Sequence, residues 1–160
     1  VWSYDFVADR TEDGRQVKLL VVIDEYTRES LATAAGCRIS ADATVETLER
    51  IVLERCVAPT WLRCDNGPEL TVHALRDWCR STGTSSSYSE PGAPWENPFN
   101  GRMRDELLAI EQFDTLLEVQ VLIESWRIEY NTRRPHSSLG WLVPATFAER
   151  WKAEQTDGLS

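Results

Sequence analysis

Two aspartates sit where a carboxylate can do chemistry. Asp5 interrupts the aromatic and β-branched run Trp2-Ser3-Tyr4-Asp5-Phe6-Val7, and Asp65 follows the apolar run Trp61-Leu62-Arg63-Cys64 just before the turn dipeptide Asn66-Gly67. Read as a strand, the first run places Asp5 on the opposite face from Tyr4 and Phe6. The second places Asp65 just beyond the carboxyl end of a buried strand, where open α/β sheets hold their ligands, with Asn66-Gly67 giving the backbone a sharp exit. Each acid also has a plainer reading, as an edge-strand charge facing water or as part of a common turn string. Brought together, the two like charges repel unless a cation lies between them, and such oxygen ligands suit a hard divalent ion such as magnesium.

The rest of the chain must position these acids. At 160 residues it fits one domain with a sizeable core, and a composition 42% hydrophobic and 27% charged excludes a disordered or fibrous reading. No segment approaches the roughly 20 apolar residues that cross a bilayer, and no charged-then-apolar leader opens the sequence; the expected location is the cytoplasm, with no membrane partner. The four cysteines, Cys37, Cys56, Cys64 and Cys79, form no Cys-x-x-Cys pair and lie in apolar surroundings, which points to buried thiols. Among the seven tryptophans, Trp78, Trp126 and Trp151 fall in helical patterns and read as core. A net charge of -9 argues against gripping nucleic acid by bulk electrostatics. That objection weakens for a piece of a larger protein, which the opening Val1-Trp2 without a methionine suggests.

The first strand is followed by a turn over Thr11 to Arg15 and a nearly continuous apolar run from Val17 to Asp24, a hairpin whose second strand is central. Leu31 to Ile39 reads as a third strand. Helical spacing from Ala43 to Cys56, with Asp42 as cap, gives an amphipathic helix. Thr60 to Cys64 is the buried strand, Glu69 to Ser81 a second helix carrying His73, and Thr84 to Ser89 a short fifth strand. Asn97-Pro98 starts a helix through Leu108. A longer helix follows Asp114, with Leu117, Val121, Ile123 or Leu122, Trp126 and Tyr130 on its apolar side, and ends over Asn131 to His136. Pro144 starts a last helix, Ala145 to Lys152. The predicted fold is α/β: a ribonuclease-H-like mixed five-stranded sheet flanked by helices. Its first strand is central and its fourth lies parallel beside it, so Asp5 and Asp65 can approach. The division expected is a core over 1–150 and a polar tail over 151–160.

Six blocks, in order, carry a family resemblance: Trp2 to Val7; Val22-Ile23-Asp24-Glu25-Tyr26-Thr27-Arg28-Glu29; Cys64-Asp65-Asn66-Gly67-Pro68-Glu69; Pro91-Gly92-Ala93-Pro94-Trp95-Glu96-Asn97; Asn100-Gly101-Arg102 with Arg104-Asp105-Glu106-Leu107; and Tyr130-Asn131 to Pro135-His136-Ser137-Ser138-Leu139-Gly140. Together they resemble the integrase-core domain of bacterial insertion-sequence transposases of the DDE, retroviral-integrase-like superfamily. The resemblance implies that Asp5 and Asp65 are the first and second metal-binding, catalytic acids. It implies two divalent ions, Mg2+ or Mn2+, that activate water and then a DNA 3'-hydroxyl for in-line attack on phosphodiesters. It further implies DNA partners (transposon ends and target), a homo-oligomer on DNA, and an upstream helix-turn-helix part. Arg102, Arg104, Arg133 and Arg134 are candidates for phosphate contacts, with balancing of Asp105, Glu106 and Glu129 on solvated helix faces as the plainer role.

One departure matters more than the matches. Family members run from the asparagine matching Asn97 through three residues to a glutamate and then to Asn-Gly-Arg, whereas only Pro98 and Phe99 separate Asn97 from Asn100 here. About four residues, the third acid among them, are missing; they turn a helix through about 400°, so the following face keeps roughly its direction. Glu96 and Glu106 are the nearest carboxylates and neither aligns with the lost one. The expectation is a transposase core for metal-dependent DNA cleavage and strand transfer with impaired catalysis. The alternative is a non-catalytic remnant that binds DNA or an intact transposase and regulates transposition.

Overall fold

The leading strands form a meander because each run ends in turn chemistry. Between β1 (Trp2–Arg10) and β2 (Gln16–Asp24), Thr11 N donates to Arg15 O at 3.0 Å, the Thr11 hydroxyl donates to the Asp13 carboxylate, and Gly14 takes φ +85°, a left-handed value that favours glycine. Asp24 builds the next turn: its Oδ1 accepts from Tyr26 N at 2.9 Å and Thr27 N at 3.3 Å, its carbonyl accepts from Arg28 N, and Arg28 adopts φ 62°. The chain then continues through β3 (Ser30–Gly36), α1 (Ala41–Arg55), β4 (Trp61–Asp65), α2 (His73–Thr82), β5 (Ser85–Ser89), α3 (Pro98–Met103), α4 (Leu116–Arg133) and α5 (Pro144–Asp157). These elements come from a computed structural model that describes residues 1–65, 73–89, 98–109 and 112–158.

The sheet order is β3-β2-β1-β4-β5. Strands β1, β2 and β3 pair antiparallel, while β4 runs parallel to both β1 and β5, so the expected ribonuclease-H-like arrangement is the one observed. Because side chains alternate along a strand, β1 and β2 feed two cores. Trp2, Tyr4, Leu20 and Val22 pack with Leu48 and Ile51 of α1 and with Leu75 and Trp78 of α2. On the other face Val7, Leu19, Val21 and Ile23 pack with Phe99 and Met103 of α3 and with Val119, Ile123, Trp126 and Tyr130 of α4. Strand β2 is buried on both faces from Leu19 to Ile23, which explains the apolar run there. Each of these large side chains contributes about 1.5–3 kcal/mol by leaving water.

Several boundaries differ from expectation for local reasons. Ser40, not Asp42, caps α1, its hydroxyl accepting from Ala43 N at 3.1 Å. β3 stops at Gly36 rather than Ile39. On α4 the apolar face is Val119, Ile123, Trp126 and Tyr130, whereas Leu117 and Val121 are exposed; two residues, about 200° round the helix, separate Leu117 and Val121 from Val119 and Ile123. That helix runs to Arg133, so Asn131 lies inside it and is buried. α5 continues to Asp157, making helix of most of the expected tail, and Trp151 on it is 38% exposed rather than core. Cys64 and Cys79 are buried thiols, but Cys37 and Cys56 are exposed. The proposed helical start over 69–72 and the cap at Asn97 lie outside the described residues.

Candidate active site

The register of two parallel strands brings the two acid positions together. Trp2, Ser3 and Tyr4 pair with Leu62, Arg63 and Cys64 in turn, so Asp5 and Asp65 are the next positions on neighbouring strands, whose backbones lie about 4.8 Å apart. Asp65 is the last residue of β4, paired on its other side with Ser89; it closes the strand instead of lying just beyond it. Asp5 is partly buried, on the sheet face that packs against α3 and α4. Its Oδ1 accepts from Phe6 N and its Oδ2 from Asn100 Nδ2, both at 2.8 Å. Close by in the sheet, Arg63 pairs with Glu25 at 3.1 Å.

Helix α3 delivers Asn100 because Phe99 and Met103, about one turn apart, anchor it to the core. Phe99 meets Trp126 and Tyr130 edge-on, with centroids 4.9 and 4.7 Å apart, and Tyr130 stacks on Trp126 and meets His136; each such pair adds about 0.5–1.5 kcal/mol beyond area burial. Asn100 is 6% exposed, and among the described residues its Oδ1 is buried without a partner. Sequence reasoning quoted Asn100 inside a block without giving it a role. The signal was the spacing: Phe99, Asn100 and Met103 share one helix face.

Arginines gather at the same end. Burial pushes the Tyr130 phenol up to about 12, against the opposing charges of Arg102, Arg28 and Arg134. Burial, then the charges of Arg102 and Arg28, lower the His136 pKa. Arg28 is thus a cation of this cluster that the sequence did not single out. Arg102, Arg104 and Arg133 are exposed. Arg134 instead pairs with Glu106 and covers the Trp126 ring at 5.7 Å. Glu106 lies in a π-helical turn, Arg104–Leu108, that follows α3, and Glu96 lies outside the described residues. Among the described residues no group of three or more His, Cys, Asp or Glu side chains is placed to hold a metal ion. The described donors therefore do not fit a complete two-ion site: two acid positions adjoin, and an amide faces the first of them.

Two family models, both described as integrase core domain, match residues 1–94 and 82–144. The chain is 39% identical over 160 residues to an insertion element IS476 protein of Xanthomonas euvesicatoria, covering 98% of this chain and 46% of that protein. It is 38% identical over 157 residues to an insertion element IS407 protein of Burkholderia multivorans, covering 96% and 56%, so it spans about half the length of these relatives. The transposase for insertion sequence element IS904 of Lactococcus lactis is 26% identical, with 92% and 60% covered. In fold the chain is similar to the catalytic core domain of BIV integrase, with TM-score 0.66 and 17% identity over 98% of this chain and 96% of that one. It is also similar to the HTLV-2 integrase catalytic core domain in complex with magnesium, trimeric form, with TM-score 0.68 and 14% identity over 91% and 93%. The chain belongs to the integrase-core domain family.

Proposed function

We propose that this chain is the core of a transposase acting on DNA by metal-dependent strand cleavage and transfer, and that its own catalysis is impaired. The observation that carries the reading is the junction of Asp5 and Asp65 on adjoining parallel strands with Asn100 Nδ2, a neutral amide, 2.8 Å from Asp5 Oδ2. Asp5 and Asp65 are the catalytic, metal-binding acids in this proposal, and Mg2+ or Mn2+ is the ion they recruit weakly. Losing one carboxylate about 4 Å from an ion removes an attraction of several kcal/mol at an effective dielectric near 20, before desolvation is subtracted.

DNA is the partner. Arg102, Arg104 and Arg133 contact phosphates, Arg134 joins them by exchanging Glu106 for phosphate, and Arg28 adds a further cation beside them. The clustering of Arg28, Arg102 and Arg134 about Tyr130 supports this in a chain of net charge -9. A helix-turn-helix part joined to the core completes the DNA grip, and relatives about twice as long leave room for one. The protein works in the bacterial cytoplasm; no described helix is long and apolar enough to cross a membrane. It assembles with copies of itself through the exposed apolar row Leu117, Val121 and Ile128 on α4, and the HTLV-2 core occurs in dimeric and trimeric forms.

The test uses purified protein joined to its DNA-binding part and a duplex carrying the element's ends. Little cleavage or strand transfer in Mg2+ or Mn2+ is expected; robust activity lost in Asp65→Asn would overturn the impairment. Added to an active relative, the protein lowers transposition if it acts as a regulatory remnant and leaves it unchanged if it does not.

A further inference from the structure

Asn100 faces Asp5 with the donor end of its amide. The opposite orientation sets a carbonyl oxygen against a carboxylate, two acceptors with no proton between them, so the Nδ2 assignment at 2.8 Å follows from charge alone. The cost appears at the other end of the group: among the described residues Asn100 Oδ1 is buried without a partner, an unfavourable state for an acceptor that water would satisfy. A side chain held at that cost is doing something at its donor end. There it supplies Asp5 with the partial positive charge that a cation supplies in a carboxylate site, while Phe6 N satisfies the second oxygen.

We infer that Asn100 is a positioning residue that holds Asp5 in place of a divalent cation, so that exchanging its amide for a carboxylate restores a third anionic corner to the site. This rests on the reading of the chain as an impaired integrase core. Asp has the shape of Asn, so Asn100→Asp changes charge with little change in packing around Phe99 and Met103. The amide on Asp5 then becomes a carboxylate, and two carboxyl groups that face each other repel without metal and attract a hard cation strongly. Asn100→Ala removes the competing donor without adding charge.

The experiment measures Mn2+ binding to the whole 160-residue chain by electron paramagnetic resonance and calorimetry, for the wild type, Asn100→Asp, Asn100→Ala and Asn100→Asp/Asp5→Asn. Asn100→Asp is expected to bind at least tenfold more tightly than wild type, Asn100→Ala a few-fold more tightly, and the double variant to lose the gain. In thermal melts Asn100→Asp is expected to be less stable than wild type without metal and to recover with Mn2+. An Asn100→Asp variant with native circular dichroism and no gain in affinity overturns the inference. So does weaker binding by Asn100→Ala, because the amide would then organise a metal site rather than occupy its place; that sign decides the matter even if Asn100→Asp fails to fold. Tight binding by the wild type itself contradicts the impaired reading instead, so the two failures are distinguishable.

Discussion

Asn131 grips the backbone of Ser30 at both ends: its Oδ1 accepts from Ser30 N and its Nδ2 donates to Ser30 O, each at 2.9 Å and out of water. Arg127 Nη1 adds a bond of 2.8 Å to the same carbonyl. The three bonds fasten α4 to the start of β3. Asn131→Ala leaves the buried Ser30 N without this acceptor while the Ser30 carbonyl keeps Arg127, and is expected to lower the unfolding free energy by about 1–3 kcal/mol in urea titrations. Thr132→Ala, next in the helix and exposed, is expected to change it by less than about 1 kcal/mol.

Glu29 and Arg55 form a second fastening, with bonds of 3.0 and 2.9 Å between the guanidinium and both carboxylate oxygens, and with Glu29 7% exposed. Removing one partner strands a buried charge, so Arg55→Ala is expected to cost about 3 kcal/mol. The pair replaced together, Glu29→Gln with Arg55→Met, is expected to recover much of that loss. Thermal denaturation of the single and double variants reads both values.

Two groups at the aromatic end make stability depend on pH in opposite windows. His136 has a folded pKa below its usual 6.5, so the unfolded chain binds the extra proton first; the contribution is complete above about 6.5 and is lost as pH falls through the folded value. Tyr130, at about 12 against an ordinary 10.0, contributes fully below about 10 and loses about 2–3 kcal/mol as pH rises towards 12. Urea midpoints across pH should flatten at the acid end in His136→Asn and at the alkaline end in Tyr130→Phe.

Self-association through α4 predicts a concentration-dependent mass. Val121→Lys puts a charge into the exposed row with Leu117 and Ile128 and is expected to shift light-scattering mass to the monomer with an unchanged melting temperature. An unchanged mass distribution would remove this face from the assembly.

The sheet was readable because β-branched runs, an Asp-Gly turn and helical spacing agree locally with the fold, and the nearly continuous apolar run Val17 to Ile23 announces a strand buried on both faces. That positions 5 and 65 lie on neighbouring strands followed from the strand order. What escaped was long-range and polar. Asn100 on Asp5, Asn131 on Ser30 and Arg127 on Ser30 each join residues about a hundred positions apart, and nothing in local spacing encodes such a bond. The apolar side of α4 was misread because Leu117 and Val121 mimic a core stripe, while the buried face also carries Asn131. Arg28 escaped because its place in the arginine cluster depends on a left-handed turn built by Asp24.

The central place of β1 has a kinetic consequence. It meets β2 across a short turn, but Tyr4 meets Cys64 some 60 positions away, and closing so long a loop is costly in chain entropy before any contact repays it. The hairpin therefore forms early and the docking of β4 late, on the native side of the folding barrier. The contacts between β1 and β4 are then absent from the transition state and present only in the finished sheet. Weakening them, by Leu62→Ala in the buried part of β4, is expected to speed unfolding in stopped-flow experiments while leaving the refolding rate nearly unchanged.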